Sequence, residues 1–517
     1  MMRIQNWIGL AALAIASIAH ADVKLPQILS DNMVLQQTAK VPIWGWATAG
    51  EKVHIALNDQ QADTTADANG KWRVDLDLSK EPQGPFDMTV AGTNTLTVKN
   101  ILIGQVWLCS GQSNMEFGIG NCPYGGRDMK AADHPTIRLC MVTRTPSQTP
   151  LDDVPAKWVV CSPKTIGQGG WWGFSAVGFY FGLDLNGWLN TPIGLIQDCW
   201  GGTPAEAFVP RETLKNNADL AYLLDKYPKA KEQWPQKQQD YQKQLTDWKT
   251  AEADRKTKGL APTTQPKAPL DPDQSNQFGG VVYDGMIHPV QPIALAGVIW
   301  YQGESNGDRG YQYRTLFPLL IKEWRRTWED ENLPFLFVQL PSYGDVPKQP
   351  GHSLWAELRE AQAMTLSLPH TGMAVTIDTG EPDNIHPKDK YPVGHRLALV
   401  ALEKVYGKPV ESTAPTYDSM KVDGDAIRIK LTHADGLYAK GGKISGFEIA
   451  GEDKKFVWAD ATIDGQAIVV HADSIQAPVA VRYAWAGSPQ VSLYNASNLP
   501  AAPFRTDDWP GVSVKNK

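Results

Sequence analysis

Apolar runs broken by polar clusters recur along the middle of the chain, in the pattern of buried strands followed by helices. The runs at 101–109, 192–198 and 297–301 are rich in β-branched and aromatic residues, and each ends in small or polar residues. A helical repeat covers 176–190, where Val177, Phe181, Leu185 and Leu189 recur every four residues. The pattern predicts an α/β core with a parallel sheet and a functional site at the carboxyl edge of the strands.

The two ends of the chain show a different pattern, with short strands separated by Asp, Asn, Gly and Pro. In 22–100 the alternation of Trp72, Val74, Leu76 and Leu78 indicates a strand with one buried face. Strands dominate again in 411–517. We therefore expect an N-terminal β-domain over 22–100, a catalytic domain over 101–410 and a C-terminal β-domain over 411–517. Both flanking domains are expected to resemble β-sandwiches.

Residues 211–275 differ in composition from the rest of the predicted core. Gln, Lys, Asp and Ala dominate, with aromatic residues spaced through the segment, and a Pro-rich stretch follows at 261–272. This composition predicts one or two amphipathic helices and a linker, inserted between elements of the core.

The first 21 residues have the features of a secretory signal peptide. Arg3 supplies the positive charge, an apolar run covers 8–18, and Ala19-His20-Ala21 fits a cleavage site. The apolar run is too short to span a bilayer, and no later stretch is long and apolar enough. We expect a periplasmic or secreted protein without a membrane span.

The composition restricts the classes of molecule that the protein is expected to bind. The chain has 517 residues, 42% of them hydrophobic, and a formal net charge of −7 with no basic stripe. This charge argues against a nucleic-acid partner. Its 19 tryptophans are compatible with sugar-binding surfaces, although many tryptophans simply pack cores.

Five cysteines lie in the first half of the predicted catalytic domain. Cys109 and Cys199 fall on predicted buried strands and are expected to be free thiols. An oxidising compartment would permit one bridge among Cys122, Cys140 and Cys161, and the sequence does not select the pair. No Cys/His cluster has zinc-ligand spacing, so we expect no metal and no cofactor.

The candidate chemistry centres on Ser113, which follows the first apolar run at a strand-to-helix corner. Gly111 permits a tight turn there, and the serine hydroxyl and neighbouring backbone N–H groups would point outward. Taken alone, the corner is equally compatible with an ordinary turn with a capping serine. Far downstream, Asp383 and His386 stand in an Asp-x-x-His spacing, which offers a base and an orienting acid for a nucleophilic serine.

Several sequence blocks resemble those of the sialate O-acetylesterases, a family of SGNH hydrolases that is similar to bacterial carbohydrate acetyl-esterases. The blocks are Cys109-Ser-Gly-Gln-Ser-Asn-Met115, Trp200-Gly-Gly-Thr203, Trp300-Tyr-Gln-Gly-Glu-Ser-Asn306 and Asp383-Asn-Ile-His386-Pro387. They occur in the family's order, and the resemblance runs over about residues 24 to 508. It implies a three-layer α/β/α core and deacetylation of an O-acetylated carbohydrate.

The resemblance also implies roles for individual residues. Ser113 would be the nucleophile, His386 the base and Asp383 its orienting acid. An oxyanion hole would combine the backbone N–H groups of Ser113 and Gly202 with the side-chain amide of Gln302.

Some of these assignments leave alternatives open. Gly201 is the alternative to Gly202, and Asn306 is the alternative to Gln302. His288 is a rival base, although only Asp284 lies close to it in sequence. More weakly indicated substrate-binding residues are Asn114, Glu304 and Arg359.

The sequence leaves two other classes of function open. One is a non-catalytic carbohydrate-binding protein with an inactive core, and the other is a lipase or thioesterase of the same superfamily. Within the esterase interpretation, the glycan is either a sialic acid or a plant hemicellulose or pectin fragment.

Overall fold

The computed structural model describes residues 22–516. The predicted signal peptide over 1–21 therefore lies outside the described residues. Within 22–516, no helix is long and apolar enough to cross a membrane.

The centre of the protein is a mixed sheet in the order β13-β12-β11-β7-β10-β8-β9. Its strands are parallel except β9, which pairs antiparallel with β8 at one edge. The bounds of these strands are β7 Thr95–Gly111, β8 His134–Val142, β9 Ala156–Cys161, β10 Ile193–Cys199, β11 Gly297–Tyr301, β12 Phe335–Gln339 and β13 Thr371–Val375. The α/β core predicted from the apolar runs is confirmed, with one antiparallel edge strand added.

Helices cover this sheet, and one of them, Ala176–Leu189, is the helix predicted over 176–190. The helices are α1 Ser113–Glu116, α2 Gly125–Ala131, α3 Ala176–Leu189, α4 Arg211–Lys215, α5 Lys226–Thr257, α6 His288–Val290, α7 Gly310–Thr327, α8 Leu354–Met364 and α9 Tyr391–Lys404. Helix α5 belongs to the predicted insertion and has no buried residue, so it contributes little to the core.

The N-terminal strands join the central sheet through β7. They are β1 Val34–Gln36, β2 Val41–Trp46, β3 Lys52–Leu57, β4 Gln60–Thr65, β5 Lys71–Leu76 and β6 Phe86–Ala91. The first part of β7 pairs antiparallel with β6, residues 102–104 pair with β1, and the last part, 105–111, pairs with the core strands β10 and β11. A single 17-residue strand thus crosses the boundary predicted at 100/101, and one hydrophobic core extends over both sides of it.

The C-terminal region is all β and has a hydrophobic core of its own. Two four-stranded sheets, β14-β15-β20-β19 and β18-β17-β21-β23, form its layers. The strands are β14 Thr416–Asp423, β15 Ala426–Thr432, β16 Tyr438–Ala439, β17 Phe447–Ala450, β18 Val457–Trp458, β19 Asp460–Asp464, β20 Ala467–His471, β21 Ala480–Tyr483, β22 Leu493–Tyr494 and β23 Phe504–Arg505. Val375, which ends β13, and Ile377, which follows it, also belong to this second core, so the C-terminal sheets pack against the end of β13.

All five cysteines are buried free thiols. The bridge considered among Cys122, Cys140 and Cys161 is therefore not formed. Burial raises the pKa of the Cys122 thiol to about 11, which keeps it in the unreactive thiol form.

Candidate active site

Ser113 lies where the central strand β7 turns into the short helix α1. Gly111 ends the strand with φ +129°, and a Cβ there would come within 2.2 Å of the Tyr301 carbonyl oxygen on the neighbouring strand. Only glycine fits this close approach. The backbone N–H of Gln112 then donates to the same carbonyl at 3.0 Å, and Ser113 follows, half-buried. The corner predicted from the sequence is present, and it holds the serine at the carboxyl edge of the sheet.

The imidazole of His386 meets Ser113 across 273 residues of sequence. The distance from His386 Nε2 to Ser113 Oγ is 2.8 Å. Asn384 fixes the loop, because its side chain accepts from the His386 N–H at 3.0 Å and donates to the His386 carbonyl at 2.8 Å. A serine hydroxyl within hydrogen-bond reach of a histidine is the geometry that nucleophilic catalysis requires.

Asp383 is placed differently from the prediction for a triad acid. Its side chain is exposed, and within residues 22–516 it makes no hydrogen bond to His386. The Asp-x-x-His spacing puts Asp383 in the same loop but does not bring its carboxylate onto the imidazole.

The paired glycines after β10 lie beside Ser113. A Cβ on Gly201 would come within 3.3 Å of the Ser113 Cβ, so this backbone lies directly against the serine. The Gly201 N–H donates to the buried Glu116 carboxylate at 2.7 Å and is not available to a substrate. Gly202 has φ +71° and open space at its Cα, and its N–H makes no bond within the described chain. Of the two, only Gly202 has a backbone N–H that no group within residues 22–516 accepts.

Glu116 was missed from the sequence, although it lies three residues after the nucleophile. It ends α1, is buried, and forms an ion pair with Arg144 in addition to its bond with Gly201. Glu116 thus joins the serine helix to the glycine loop.

The predicted role of Gln302 in the oxyanion hole is corrected. The side chain is fully buried, and its two amide hydrogens go to the Thr203 carbonyl at 3.3 Å and to Asn306 Oδ1 at 2.7 Å. Its oxygen accepts from the Tyr313 hydroxyl at 2.9 Å. The alternative, Asn306, is also fully buried, and one of its two amide hydrogens goes to Glu206 at 3.0 Å. Gln302 therefore has no amide hydrogen left for a substrate, and both side chains bond to the segment that follows the paired glycines, at Thr203 and Ala205.

Asn114 and Glu304 lie in a buried network and not on a substrate surface. Asn114 is fully buried, and its amide donates to the Glu304 carboxylate and, at 2.9 Å, to the Ile385 carbonyl next to His386. Its oxygen accepts from Lys390 Nζ at 2.5 Å. Asn114 therefore ties the nucleophile helix to the histidine loop, and the substrate contact predicted for both residues is corrected to a positioning role.

Lys390, at the N-terminus of α9, is the second residue that sequence reasoning missed. Its ammonium group is fully buried, 4.8 Å from the ring centroid of Phe117 and 5.5 Å from that of Tyr301. Burial lowers the pKa of Lys390 to about 7. Burial first, and then the Lys390 charge, also lower the pKa of His386 below its usual value, which favours the neutral imidazole that can accept a proton.

Arg359 does not reach the cleft, which corrects the third substrate-binding prediction. It is fully buried, and its guanidinium donates to the backbone carbonyls of Leu340, Pro341, Ala486 and Gly487 at 2.7–2.8 Å. The residue holds the C-terminal sheets against the core.

The rival base His288 lies elsewhere. It lines a cavity shared with the N-terminal strands, beside Trp44, Trp72 and Asp152, and makes no contact with Ser113 among the described residues. Of the two histidines, His386 is therefore the one that contacts Ser113.

A glycine-rich loop over 167–173 places two tryptophans beside the site, and neither had been singled out. The Trp171 ring packs edge-on against His386, with the ring centroids 5.0 Å apart. Trp172 is 71% exposed and has φ +65°, a strained conformation for a bulky residue. Its carbonyl is anchored by the Gly120 N–H at 2.9 Å. In the sequence, the two adjacent tryptophans flanked by glycines could have indicated this loop.

No group of three or more His, Cys, Asp or Glu side chains within residues 22–516 is arranged to hold a metal ion.

Comparison with known proteins places the chain among carbohydrate esterases. Residues 251–403 match the family model described as a carbohydrate esterase, sialic acid-specific acetylesterase. The sialate O-acetylesterase of Mus musculus is 30% identical over 96% of this chain and 97% of its own length. The chain belongs to the sialate O-acetylesterase family. The Homo sapiens member of this family is also 30% identical, over 93% of each chain.

A solved structure agrees with this family assignment. The crystal structure of a carbohydrate acetylesterase from Xanthomonas citri superposes with a TM-score of 0.79 at 34% identity, covering 94% of this chain and all of that one. This sialate O-acetylesterase family member is thus a carbohydrate esterase with the same fold as that enzyme.

Proposed function

We propose that the protein removes acetyl groups from O-acetylated carbohydrates through an acetyl-enzyme on Ser113. The observation that carries the proposal is the 2.8 Å contact between Ser113 Oγ and His386 Nε2 at the edge of the sheet. Neither a non-catalytic sugar-binding protein nor a buried structural serine requires this pairing.

The first half-reaction follows from the positions of these groups. Ser113 Oγ attacks the acetyl carbonyl carbon while His386 Nε2 takes the hydroxyl proton. The oxyanion accepts hydrogen bonds from the N–H groups of Ser113 and Gly202. The C–O bond to the sugar then breaks, and His386 gives its proton to the leaving sugar oxygen. The acetyl group stays on Ser113.

The second half-reaction regenerates the enzyme. Water loses a proton to His386 as its oxygen attacks the acetyl carbonyl, and acetate leaves as the proton returns to Ser113 Oγ. Asp383 is proposed as a helper of His386 during turnover, since catalytic contacts often tighten only with substrate bound.

A panel of acetylated glycans, scored for released acetate, tests the activity and ranks sialic acids against xylan and pectin fragments. A fluorophosphonate probe tests the mechanism, because it labels an activated serine. We expect stoichiometric labelling at Ser113, detected by peptide mass spectrometry. Acetate release with no label on Ser113 would disprove the serine mechanism while leaving the esterase activity in place.

The exposed Trp172 is proposed to contact the sugar of the substrate. Trp172 directly follows Trp171, whose ring packs against His386, and its strained backbone presents an indole to solvent, which suits a stacking surface for a sugar ring. We expect Trp172→Ala to raise KM for an acetylated oligosaccharide about tenfold and to leave p-nitrophenyl acetate hydrolysis nearly unchanged. Steady-state kinetics with both substrates measure this.

The matched control is Trp188→Ala on α3, a tryptophan that is 53% exposed and lies on the helix surface. It should leave both substrates unaffected. Equal KM values for wild type and Trp172→Ala would remove Trp172 from the substrate site.

The lowered pKa of His386 predicts the acid side of the pH profile. Activity requires the neutral imidazole, so a lowered pKa extends activity to more acidic pH. The acid limb of kcat/KM should therefore have its midpoint below about 6.5, the ordinary value for histidine. Lys390→Met removes a nearby positive charge, which raises the pKa of His386 and moves the acid limb to higher pH.

Lys388→Met is the control for this shift, because Lys388 lies in the same loop but is exposed. Its charge is screened by solvent, so the limb should not move. An acid limb that stays in place in Lys390→Met would show that Lys390 does not tune His386.

A further inference from the structure

A cavity of about 430 Å³ lies between the C-terminal β-sandwich and the segment 343–353 of the core. Glu448, Trp458 and Trp485 contribute to its walls. An adjoining cavity of about 240 Å³ shares these three residues, so the two form one cleft. The cleft does not include Ser113 or His386.

Glu448 is a buried carboxyl group without a partner in this cleft. The residue is 1% exposed, and its Oε2 makes no hydrogen bond within the described chain. Its register partner Arg482 is engaged by Asp507, through two bonds of 2.7 and 2.9 Å. An unsatisfied buried polar group destabilises a protein, so Glu448 has a hydrogen-bonding oxygen for which residues 22–516 supply no partner.

The protonation state of Glu448 determines which kind of ligand group it can bind. Burial raises the pKa of Glu448 to about 8, so the carboxyl group is mostly protonated at neutral pH. In this form it both donates and accepts a hydrogen bond, as a hydroxyl ligand requires.

Trp458 is the aromatic neighbour of this carboxyl group. It pairs with Glu448 across two antiparallel strands, so both side chains lie on the same face of the sheet. The indole N–H donates to the Lys348 carbonyl at 3.2 Å, which fixes the ring, and the side chain stays 40% exposed. A fixed aromatic ring beside a hydroxyl-binding group matches the apolar face and the polar edge of a sugar.

We propose that this cleft is a second carbohydrate-binding site, which takes a neutral saccharide unit against Trp458 with a hydroxyl group bonded to Glu448. Lys443 and Asp460, of opposite charge, both line the cleft, so its walls offer no excess of positive charge to a sugar that carries a carboxylate. The site goes beyond the esterase reaction and does not use its catalytic residues.

One segment connects this cleft with the catalytic loop. Val346 and Pro347 line the cleft, and shortly before them the Gly344 N–H donates to the Pro382 carbonyl at 2.9 Å. A glycan chain bound in the cleft therefore lies on the same side of the protein as the loop that carries His386.

Isothermal titration calorimetry on the full-length protein tests the site with xylohexaose, cellohexaose and N-acetylneuraminic acid, none of which carries an O-acetyl ester. We expect at least one of the two neutral hexasaccharides to bind. Trp458→Ala should weaken that binding about tenfold or more, and Trp188→Ala should leave it at the wild-type value.

Changes at Glu448 sharpen the test. Glu448→Gln keeps a neutral donor and acceptor and should retain binding, whereas Glu448→Leu should lose it. Thermal melting checks that both variants fold, and p-nitrophenyl acetate hydrolysis should be unchanged in all of them. Failure of both neutral saccharides to bind at millimolar concentration, binding of N-acetylneuraminic acid alone, or unchanged binding in Trp458→Ala would each overturn the proposal without touching the esterase assignment.

Discussion

Ser113→Ala should lose esterase activity by about 10⁴-fold or more while the protein stays folded. The hydroxyl that bonds to His386 is half-buried, and its removal leaves the turn at Gly111 and the bonds of Asn114 in place. Only oxyanion and binding effects then remain to assist water. The measurement is kcat/KM on p-nitrophenyl acetate and on one acetylated glycan, together with the melting temperature.

Ser305→Ala is a suitable control, because Ser305 lies in the neighbouring Gln302–Asn306 segment and only its backbone N–H bonds to Gln112. It should retain most activity. A folded Ser113→Ala enzyme with wild-type turnover would exclude Ser113 as the nucleophile.

His386→Ala should approach the inactivity of Ser113→Ala, whereas Asp383→Asn should lose no more than about 100-fold. His386 is the group in contact with the serine hydroxyl, and without it Ser113 is a poor nucleophile at neutral pH. Asp383 is exposed and makes no bond to the imidazole within the described chain, so the loop is held by Asn384 instead. The measurement is kcat/KM against pH for wild type and both variants.

Two results would contradict this ranking. An active His386→Ala enzyme would require another base, with His288 the first to test. An Asp383→Asn enzyme as inactive as Ser113→Ala would show that the carboxylate moves onto His386 during turnover.

The sequence predicted those parts of the structure that local pattern determines. The apolar runs gave the core strands, and the four-residue repeat gave α3 almost to the residue. Ser113 and His386 were predicted as partners because a nucleophile, a base and their surrounding blocks leave a recognisable pattern of residue types.

Apart from the Ser113–His386 pair, the sequence did not predict which contacts distant residues make once they are buried. The amide of Gln302 and the guanidinium of Arg359 have the chemistry of catalytic and binding groups, but burial turns both toward backbone carbonyls. Conversely, Lys390 looks like an ordinary helix-start lysine until the fold encloses it beside Asn114. These contacts join residues that are far apart in sequence, so a local sequence pattern does not predict them.

The hydrogen bonds between residues 512–513 and α8 affect when the core can form during synthesis of the chain. Glu357 is buried, and its carboxylate accepts from the N–H groups of Val512 and Ser513, 155 and 156 positions further along. The guanidinium of Arg359 likewise donates to carbonyls much further along the chain, those of Ala486 and Gly487, 127 and 128 positions away. A chain that emerges from the ribosome amino end first therefore leaves Glu357 without these two partners, and Arg359 with only the carbonyls of Leu340 and Pro341, until residues 486–513 have been made.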